Sequence, residues 1–304
     1  MSACIVTFFN RWLAVLKSTV SIWLGASVFT HAAALAFFTV FSIAPVMIVA
    51  VMLVGLVFGE TAAQGQLVEQ LRATIGDEAS MAVQTAVQNS RLTRTGVLPA
   101  LAGFGAMLFG ATTVFAQMQG ALNSIWGVAP RPTRSGIFVY VTRRLLSLTV
   151  VVGIGFVLLV SMTLSVLVRM VIEFAQDLLP VHAYVVLSVD WLVSLLVITL
   201  LFASIFRVLP DVLLEWRDVF LGAFVTALLF VMGRALIAMY LSTAAPGSAY
   251  GAAGSLVLLL TWVNYSSLIL LFGAAFTRAQ LQARGGQIRP RATAACVKHQ
   301  IIEQ

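Results

Sequence analysis

Long apolar runs separated by short charged segments dominate this chain. Six of these runs approach or exceed the about 20 residues that a helix needs to cross the hydrocarbon core of a bilayer. They are Ala32–Phe58, Val97–Ala121, Leu145–Val168, Ala183–Phe206, Val219–Leu241 and Gly251–Phe276. The runs are solid and do not alternate with polar residues, as the about 10-residue strands of a membrane barrel do. The pattern therefore predicts an all-α, polytopic membrane bundle with six transmembrane helices.

An amphipathic stripe precedes the first run. Its apolar members recur at helical spacing, and Arg11 and Ser18 lie on the opposite side. The members are Phe9, Trp12, Leu13, Leu16, Val20, Trp23 and Leu24. This pattern predicts a helix over residues 1–30 that lies in the membrane interface, with its tryptophans at headgroup depth. A helix that packs on the bundle from the aqueous side is the alternative.

The basic residues predict the orientation of the bundle. Of the 18 Lys and Arg residues, 13 lie in the N-terminal segment, in the loops after the second and fourth runs, and in the tail. Cytoplasmic loops of membrane proteins accumulate Lys and Arg. We therefore expect a multi-pass protein of the bacterial inner membrane with both termini in the cytoplasm. The 13 residues are Arg11, Lys17, Arg131, Arg134, Arg143, Arg144, Arg207, Arg217, Arg278, Arg284, Arg289, Arg291 and Lys298.

The whole chain, residues 1–304, is predicted to form a single membrane domain. The interfacial helix over 1–30 leads into the six-span bundle over 31–277, and a basic cytoplasmic tail follows over 278–304. Between the first two spans, Leu67, Leu71 and Ile75 share one helical face, which predicts an external helical cap over about residues 60–95.

Composition supports this interpretation. Hydrophobic residues make up 61% of the chain and charged residues only 10%, whereas soluble domains carry about 25% charged residues. The mean hydropathy is +1.02. The net charge of +7 is explained by the cytoplasmic loops, so no nucleic-acid partner is implied and membrane lipids are the expected partners. The two cysteines, Cys4 and Cys296, are expected to stay reduced.

Ionisable side chains inside a membrane span are candidates for a functional role. Asp190 in the fourth span and Arg234 in the fifth lie at similar predicted depths, each about 10 Å from the outer boundary. Three hypotheses follow. The two residues form a structural ion pair or Arg234 snorkels alone, they line a polar cavity, or they couple to the movement of an ion or a proton. Softer candidates for the same intramembrane polar site are Thr112, Gln117, Asn264 and Tyr265.

Pro45 lies within the first span, where it removes a backbone donor and predicts a kink. Ser42 precedes it and can hydrogen-bond the carbonyl that the proline leaves free. The kink is either a hinge or a static bend.

Catalytic patterns are missing from the sequence. The histidines His31, His182 and His299 are scattered, and there is no paired metal motif, phosphate loop or nucleophile elbow. We therefore expect no catalytic residue, no metal, no cofactor and no enzymatic activity.

The spans also resemble the YihY/BrkB family of inner-membrane proteins, formerly labelled ribonuclease BN. The resemblance begins at Ala36-Phe37-Phe38, where the family typically reads Ala-Tyr-Tyr, and runs in order to the end of the last span. Ala275 stands where the family often has a glutamate. The residues that carry the resemblance are Ser42, Pro45, Asn123, Trp126, Pro210, Gly222, Tyr240, Tyr250, Gly251, Trp262 and Gly273.

The architecture and this resemblance lead to two functional hypotheses. The first is a transporter-like protein for lipid or for a small solute or ion. The alternative is a structural or envelope-integrity protein without transport, since the resemblance implies a link to serum resistance. Ribonuclease activity is not expected, because its chemistry needs a metal-binding cluster of a kind that the sequence lacks.

Overall fold

The computed structural model describes residues 2–58, 80–81, 84, 97–131, 183–244 and 254–297. Its named helices are α1 (Ser2–Gly25), α2 (Val28–Phe58), α3 (Val97–Trp126), α4 (Ala183–Val208), α5 (Trp216–Ala244) and α6 (Gly254–Ala283). Two short strands, β1 (Val128–Pro130) and β2 (Ala294–Cys296), pair with each other. The predicted all-α membrane bundle is confirmed.

Membrane-crossing length and apolarity are found in α4, α5 and α6, over Trp191–Val208, Trp216–Ile237 and Leu256–Ala283. The bent pair Phe9–Gly25 and Val28–Ile43 also qualifies as one broken span. Helix α3 is continuous across the second predicted span. The third predicted span and most of the external cap lie outside the described residues, so the count of six spans stays a prediction.

Helix α1 meets α2 at a bend of 62°, with Ser27 at a φ of 51° in the break. Its exposed side is a continuous apolar face, made of Phe9, Leu13, Leu16, Val20 and Leu24. The expected amphipathic stripe is thus present on α1.

The opposite flank of α1 packs on α6. Trp12 stacks on Phe276 at 6.3 Å between ring centroids, and Trp23 meets Phe272 edge-on at 6.0 Å. The Trp23 indole nitrogen is buried and has no hydrogen-bond partner among the described residues. Ring packing against α6 therefore accounts for the partial burial of both tryptophans, and their position at headgroup depth stays a prediction.

Helix α2 is continuous through Pro45. Ser42 is buried, and its hydroxyl donates to the Gly110 carbonyl of α3. The expectation that Ser42 satisfies a carbonyl of its own helix was wrong, since the hydroxyl links two helices instead. Hydrogen bonds of this kind hold helices together where water cannot compete.

Helices α5 and α6 cross through two glycine–threonine pairs. A Cβ atom at Gly222 would overlap Thr277 Oγ1, and one at Gly273 would overlap Thr226 Oγ1. Each threonine also donates to the glycine carbonyl four residues earlier on its own helix, Thr226 to Gly222 at 2.6 Å and Thr277 to Gly273 at 2.8 Å. Small residues let helix backbones approach closely in membranes, so this crossing, the Gly–Thr interlock, fixes the register of α5 against α6.

The core is densest where α3, α4, α5 and α6 converge near the tail. The largest fully buried side chains there include Trp126, Phe206, Leu122, Ile125 and Leu271. The tail returns across this end of the bundle. Strand β2 pairs antiparallel with β1, with Val128 opposite Cys296 and Pro130 opposite Ala294, and Leu213 N donates to Arg289 O at 2.8 Å. We call these contacts of residues 289–297 the tail ladder.

Candidate functional site

A groove between α2, α5 and α6 has a volume of about 740 Å³. Helix α2 contributes two alanines, so its backbone lies close to the groove, and α5 contributes leucine and isoleucine. Helix α6 supplies the polar groups. The lining residues are Ala33, Ala36, Leu236, Ile237, Leu260, Thr261, Asn264, Tyr265 and Leu268.

The polar groups of the groove follow one edge of α6. Asn264 and Tyr265 are half-buried and lie one turn from Thr261, whose hydroxyl donates to the Val257 carbonyl at 2.8 Å. The Tyr265 hydroxyl also lies beside Gly233 of α5, where a Cβ atom would approach it to 2.5 Å. A mostly apolar concavity with a few placed polar groups is the usual form of a small-molecule site.

The structure brings together two of the predicted polar residues, Asn264 and Tyr265. Thr112 is buried in α3 and Gln117 is half-buried there, and neither lines the groove. Arg234 is exposed on α5. Asp190 belongs to α4, but its side chain lies outside the described part, so the Asp190–Arg234 pairing stays a prediction.

Sequence reasoning missed a buried carboxylate, Asp211, in the segment between α4 and α5. Only 7% of this residue is exposed. Asn123 Nδ2 donates to Asp211 Oδ2 at 2.8 Å, and Asp211 N donates back to Asn123 Oδ1 at 2.8 Å. Gln119 Nε2 donates to Asp211 Oδ1 at 3.2 Å. We call Gln119, Asn123 and Asp211 the amide–carboxylate clasp.

The clasp joins the end of α3 to the end of α4. Neutral amide donors replace part of the water that a buried carboxylate loses, and they make charge-assisted hydrogen bonds with it. Gln119 and Asn123 also border a cavity of about 440 Å³ together with Ser124 and Gly127. The i, i+4 spacing of the two amides on α3 was the available sequence signal. Their common partner is 88 residues beyond Asn123, where no local pattern points to it.

Two arginines cap helix ends beside the clasp. Arg278 of α6 donates to the Ile125 carbonyl in the last turn of α3 and lies against Gly127, which has a φ of 65°. Arg291 of the tail donates to the Val208 carbonyl at the end of α4, at 3.2 Å. Cations at helix C-termini satisfy unpaired carbonyls and oppose the helix dipole, so both helix ends are fixed by the last part of the described chain.

Comparison with known proteins identifies the family. A family model described as Virulence factor BrkB matches residues 20–296. The chain belongs to the BrkB family. The clasp, the Gly–Thr interlock and nearly all of the tail ladder lie within the matched range, so they are features of a BrkB-family chain.

Individual relatives agree with this membership. The BrkB-family chain is 26% identical to the UPF0761 membrane protein MS0032 of Mannheimia succiniciproducens, over 81% of this chain and 82% of the relative. It is 29% identical to a UPF0761 membrane protein of Teredinibacter turnerae, over 81% of this chain and 55% of the relative. YfkH of Bacillus subtilis, whose name calls it ribonuclease-like, is 28% identical over 56% of this chain and 62% of the relative. No solved structure matches.

The structure gives physical roles to several BrkB signature residues. Asn123 belongs to the clasp, Trp126 fills the core, and Gly222 and Gly273 form the interlock. Pro210 is buried beside Asp211, and Trp262 meets Phe230 edge-on at 6.0 Å. Tyr240 belongs to α5, while Tyr250 and Gly251 lie outside the described residues.

The described residues contain no cluster of metal-ligating side chains. There, no three His, Cys, Asp or Glu side chains come close enough together to hold a metal ion. The ribonuclease-like description belongs to the name of YfkH.

Proposed function

We propose that this integral membrane protein is transporter-like and acts on lipid, and that the groove between α2, α5 and α6 receives the acyl part of its substrate. The observation that carries the proposal is the groove itself. Its volume of about 740 Å³ falls within the about 300–1,000 Å³ of small-molecule sites.

The chemistry of the walls favours a lipid over an ion or a small polar solute. Alanine, leucine and isoleucine side chains form most of the groove surface, and Asn264 and Tyr265 form its polar edge. A desolvated ion needs several oxygen or nitrogen ligands, and these walls offer few. An acyl chain needs apolar contact, and a glycerol ester needs a small number of hydrogen-bonding groups.

The position of the groove supports entry from the bilayer. Leu236 at its edge is 63% exposed, and the neighbouring surface of α5 exposes Met232 and Met239. Exposed apolar side chains on a membrane-crossing helix face lipid. A substrate in the bilayer therefore reaches the groove from the side of the bundle.

We also propose the inner membrane as the location, with the tail ladder on the cytoplasmic side. The support is the excess of Lys and Arg in the loops and the tail on that side of the predicted spans. Reporter fusions after residue 297 test this orientation, and a tail on the outer side of the membrane would contradict it.

The test of function is lipid movement in liposomes that contain the purified full-length protein. Fluorescent phospholipid in one leaflet is followed by its accessibility to a membrane-impermeant quencher. Ala33 is exposed at the groove surface, so Ala33→Phe fills the groove without displacing core side chains. We expect this variant to slow lipid movement at least about fivefold.

Ala235→Phe is the matched control, because Ala235 is also exposed but does not line the groove. We expect it to leave the rate within about twofold of the unaltered protein. Equal effects of the two substitutions would reject the groove as the site. Liposomes that show no protein-dependent lipid movement would reject transport of lipid and favour the structural, envelope-integrity alternative.

A further inference from the structure

A second, smaller cavity lies between α1 and the C-terminal end of α6, apart from the groove. Its volume is about 250 Å³, which suits a small polar group rather than a whole lipid. It is lined by Arg11, Trp12, Val15, Gln280, Ala283 and Arg284.

Two arginines give this cavity a positive potential. Arg11 comes from α1 and Arg284 from the turn after α6, and both side chains are exposed. None of the carboxylates with described side chains, Asp211, Glu215 and Asp218, lines the cavity. Guanidinium groups match the oxygen geometry of phosphate and bind it through several hydrogen bonds.

A buried amide adds a second, independent feature. Gln280 is only 5% exposed, and its Oε1 atom has no hydrogen-bond partner among the described residues. Leaving a buried acceptor unpaired costs about 1–3 kcal/mol, so such an atom in a native protein calls for an explanation. Gln280 lines the cavity, so a turn of its side-chain amide brings this acceptor within reach of a hydroxyl group bound there.

The orientation of α1 places the cavity at the level of lipid headgroups. The exposed apolar face of α1 runs from Phe9 to Leu24, and Arg11 lies exposed on the other side of the helix. The bend of 62° to α2 allows α1 to run along the membrane surface while α2 enters the bilayer. Amphipathic helices of this kind lie at the boundary of headgroups and acyl chains.

We propose that this cavity binds the headgroup of an anionic phosphoglyceride that carries a free hydroxyl, of which phosphatidylglycerol is the probe. The phosphate lies between Arg11 and Arg284, and a glycerol hydroxyl donates to Gln280 Oε1. Basic pockets beside membrane helices bind anionic headgroups in this way. The bound lipid joins α1 to α6, and this role holds whether or not the protein transports lipid through the groove.

The experiment is a titration of detergent-purified, full-length protein with short-chain phosphatidylglycerol, read by native mass spectrometry. We expect Arg11→Gln and Arg284→Gln each to weaken binding about tenfold, the effect of losing one charge-assisted hydrogen bond. Lys17→Gln and Arg289→Gln are matched controls, because both residues are exposed and neither lines the cavity. They should change binding less than twofold.

The choice of ligands separates the possible sources of the anion. Phosphatidylcholine should bind at least about fivefold more weakly than phosphatidylglycerol, and inorganic phosphate should not compete at the same concentration. Phosphatidic acid keeps the phosphate and lacks the glycerol headgroup. Gln280→Met should therefore remove the preference for phosphatidylglycerol over phosphatidic acid and leave phosphatidic acid binding within twofold.

Three results would overturn the proposal. The first is equal binding of phosphatidylglycerol and phosphatidylcholine. The second is competition by inorganic phosphate as strong as that by the lipid, which would indicate a free-anion site. The third is a loss of binding in Lys17→Gln as large as in Arg11→Gln, which would indicate diffuse charge attraction.

If a glutamine variant does not fold, Arg11→Lys and Arg284→Lys are the alternative variants. They keep the charge and should weaken binding about threefold, because they lose the planar fork of the guanidinium group.

Discussion

The two ends of the described helix bundle are built on different principles. Near the tail, the clasp, the helix-capping arginines and the tail ladder connect the helices through directional hydrogen bonds. Near the groove, α6 packs on both α2 and α5, and the three helices leave between them a cavity whose walls are mostly apolar. Directional bonds specify one arrangement, whereas apolar walls accept a variable occupant. The comparison teaches that this protein fixes the packing of its helices at one end and leaves room between them at the other.

The largest expected effect comes from breaking the clasp. Asn123→Leu removes two hydrogen bonds with Asp211 and leaves its buried carboxylate with Gln119 as its side-chain partner among the described residues. Each buried group left without its partner costs about 1–3 kcal/mol, and more when it is charged, so the thermal unfolding temperature in detergent should fall strongly. Ser124→Ala, at the exposed neighbouring position, should change the free energy of unfolding by less than about 0.5 kcal/mol. Similar losses in both variants would contradict the clasp.

A smaller loss is expected in the Gly–Thr interlock. Gly273→Ala places a methyl group against Thr226 Oγ1, and overpacking of this kind costs about 1–3 kcal/mol. Adding Thr226→Ala removes the obstructing oxygen and should recover part of the loss. Gly120→Ala is the control, because a Cβ atom there meets nothing within 4 Å. Thermal unfolding of the four proteins decides the point, and a Gly120→Ala loss equal to that of Gly273→Ala would refute it.

A smaller effect on stability is expected at Arg234 of α5. Its exposure on α5 favours the snorkelling hypothesis, in which the apolar stem lies along the helix and the charged end reaches the headgroups. Arg234→Gln and Asp190→Asn should then have effects on the free energy of unfolding that add within about 0.5 kcal/mol. A double variant that is clearly more stable than the sum predicts would establish the ion pair instead.

The smallest effect on stability is expected in the groove. Asn264→Leu replaces a half-buried amide by an apolar side chain at a wall that is already apolar. Thermal stability should change by less than about 0.5 kcal/mol, while lipid movement in liposomes slows. A stability loss as large as that of Asn123→Leu would show that Asn264 holds helices together and does not serve an occupant.

The sequence was informative wherever the signal was local. The apolar runs predicted the approximate positions of α2 to α6. The helical spacing of apolar residues in α1 predicted its exposed face. Asn264 and Tyr265 were found as a pair because one helix carries both. Asp211 was missed because its partners Gln119 and Asn123 are distant in sequence. Strand β2 was missed because Ala-Ala-Cys has no alternation, and its pairing is made by backbone groups that any sequence carries.

The tail ladder also has a consequence for biogenesis. Arg131 Nε donates to the Ala294 carbonyl at 3.1 Å across 163 residues of chain. The ribosome releases residues 289–297 only after every described helix has been made, so the ladder and the Arg291 cap form last. Contacts of such sequence separation are slow to form. The nascent protein therefore inserts its helices with this end still open, and the ladder closes it once residues 289–297 have been made.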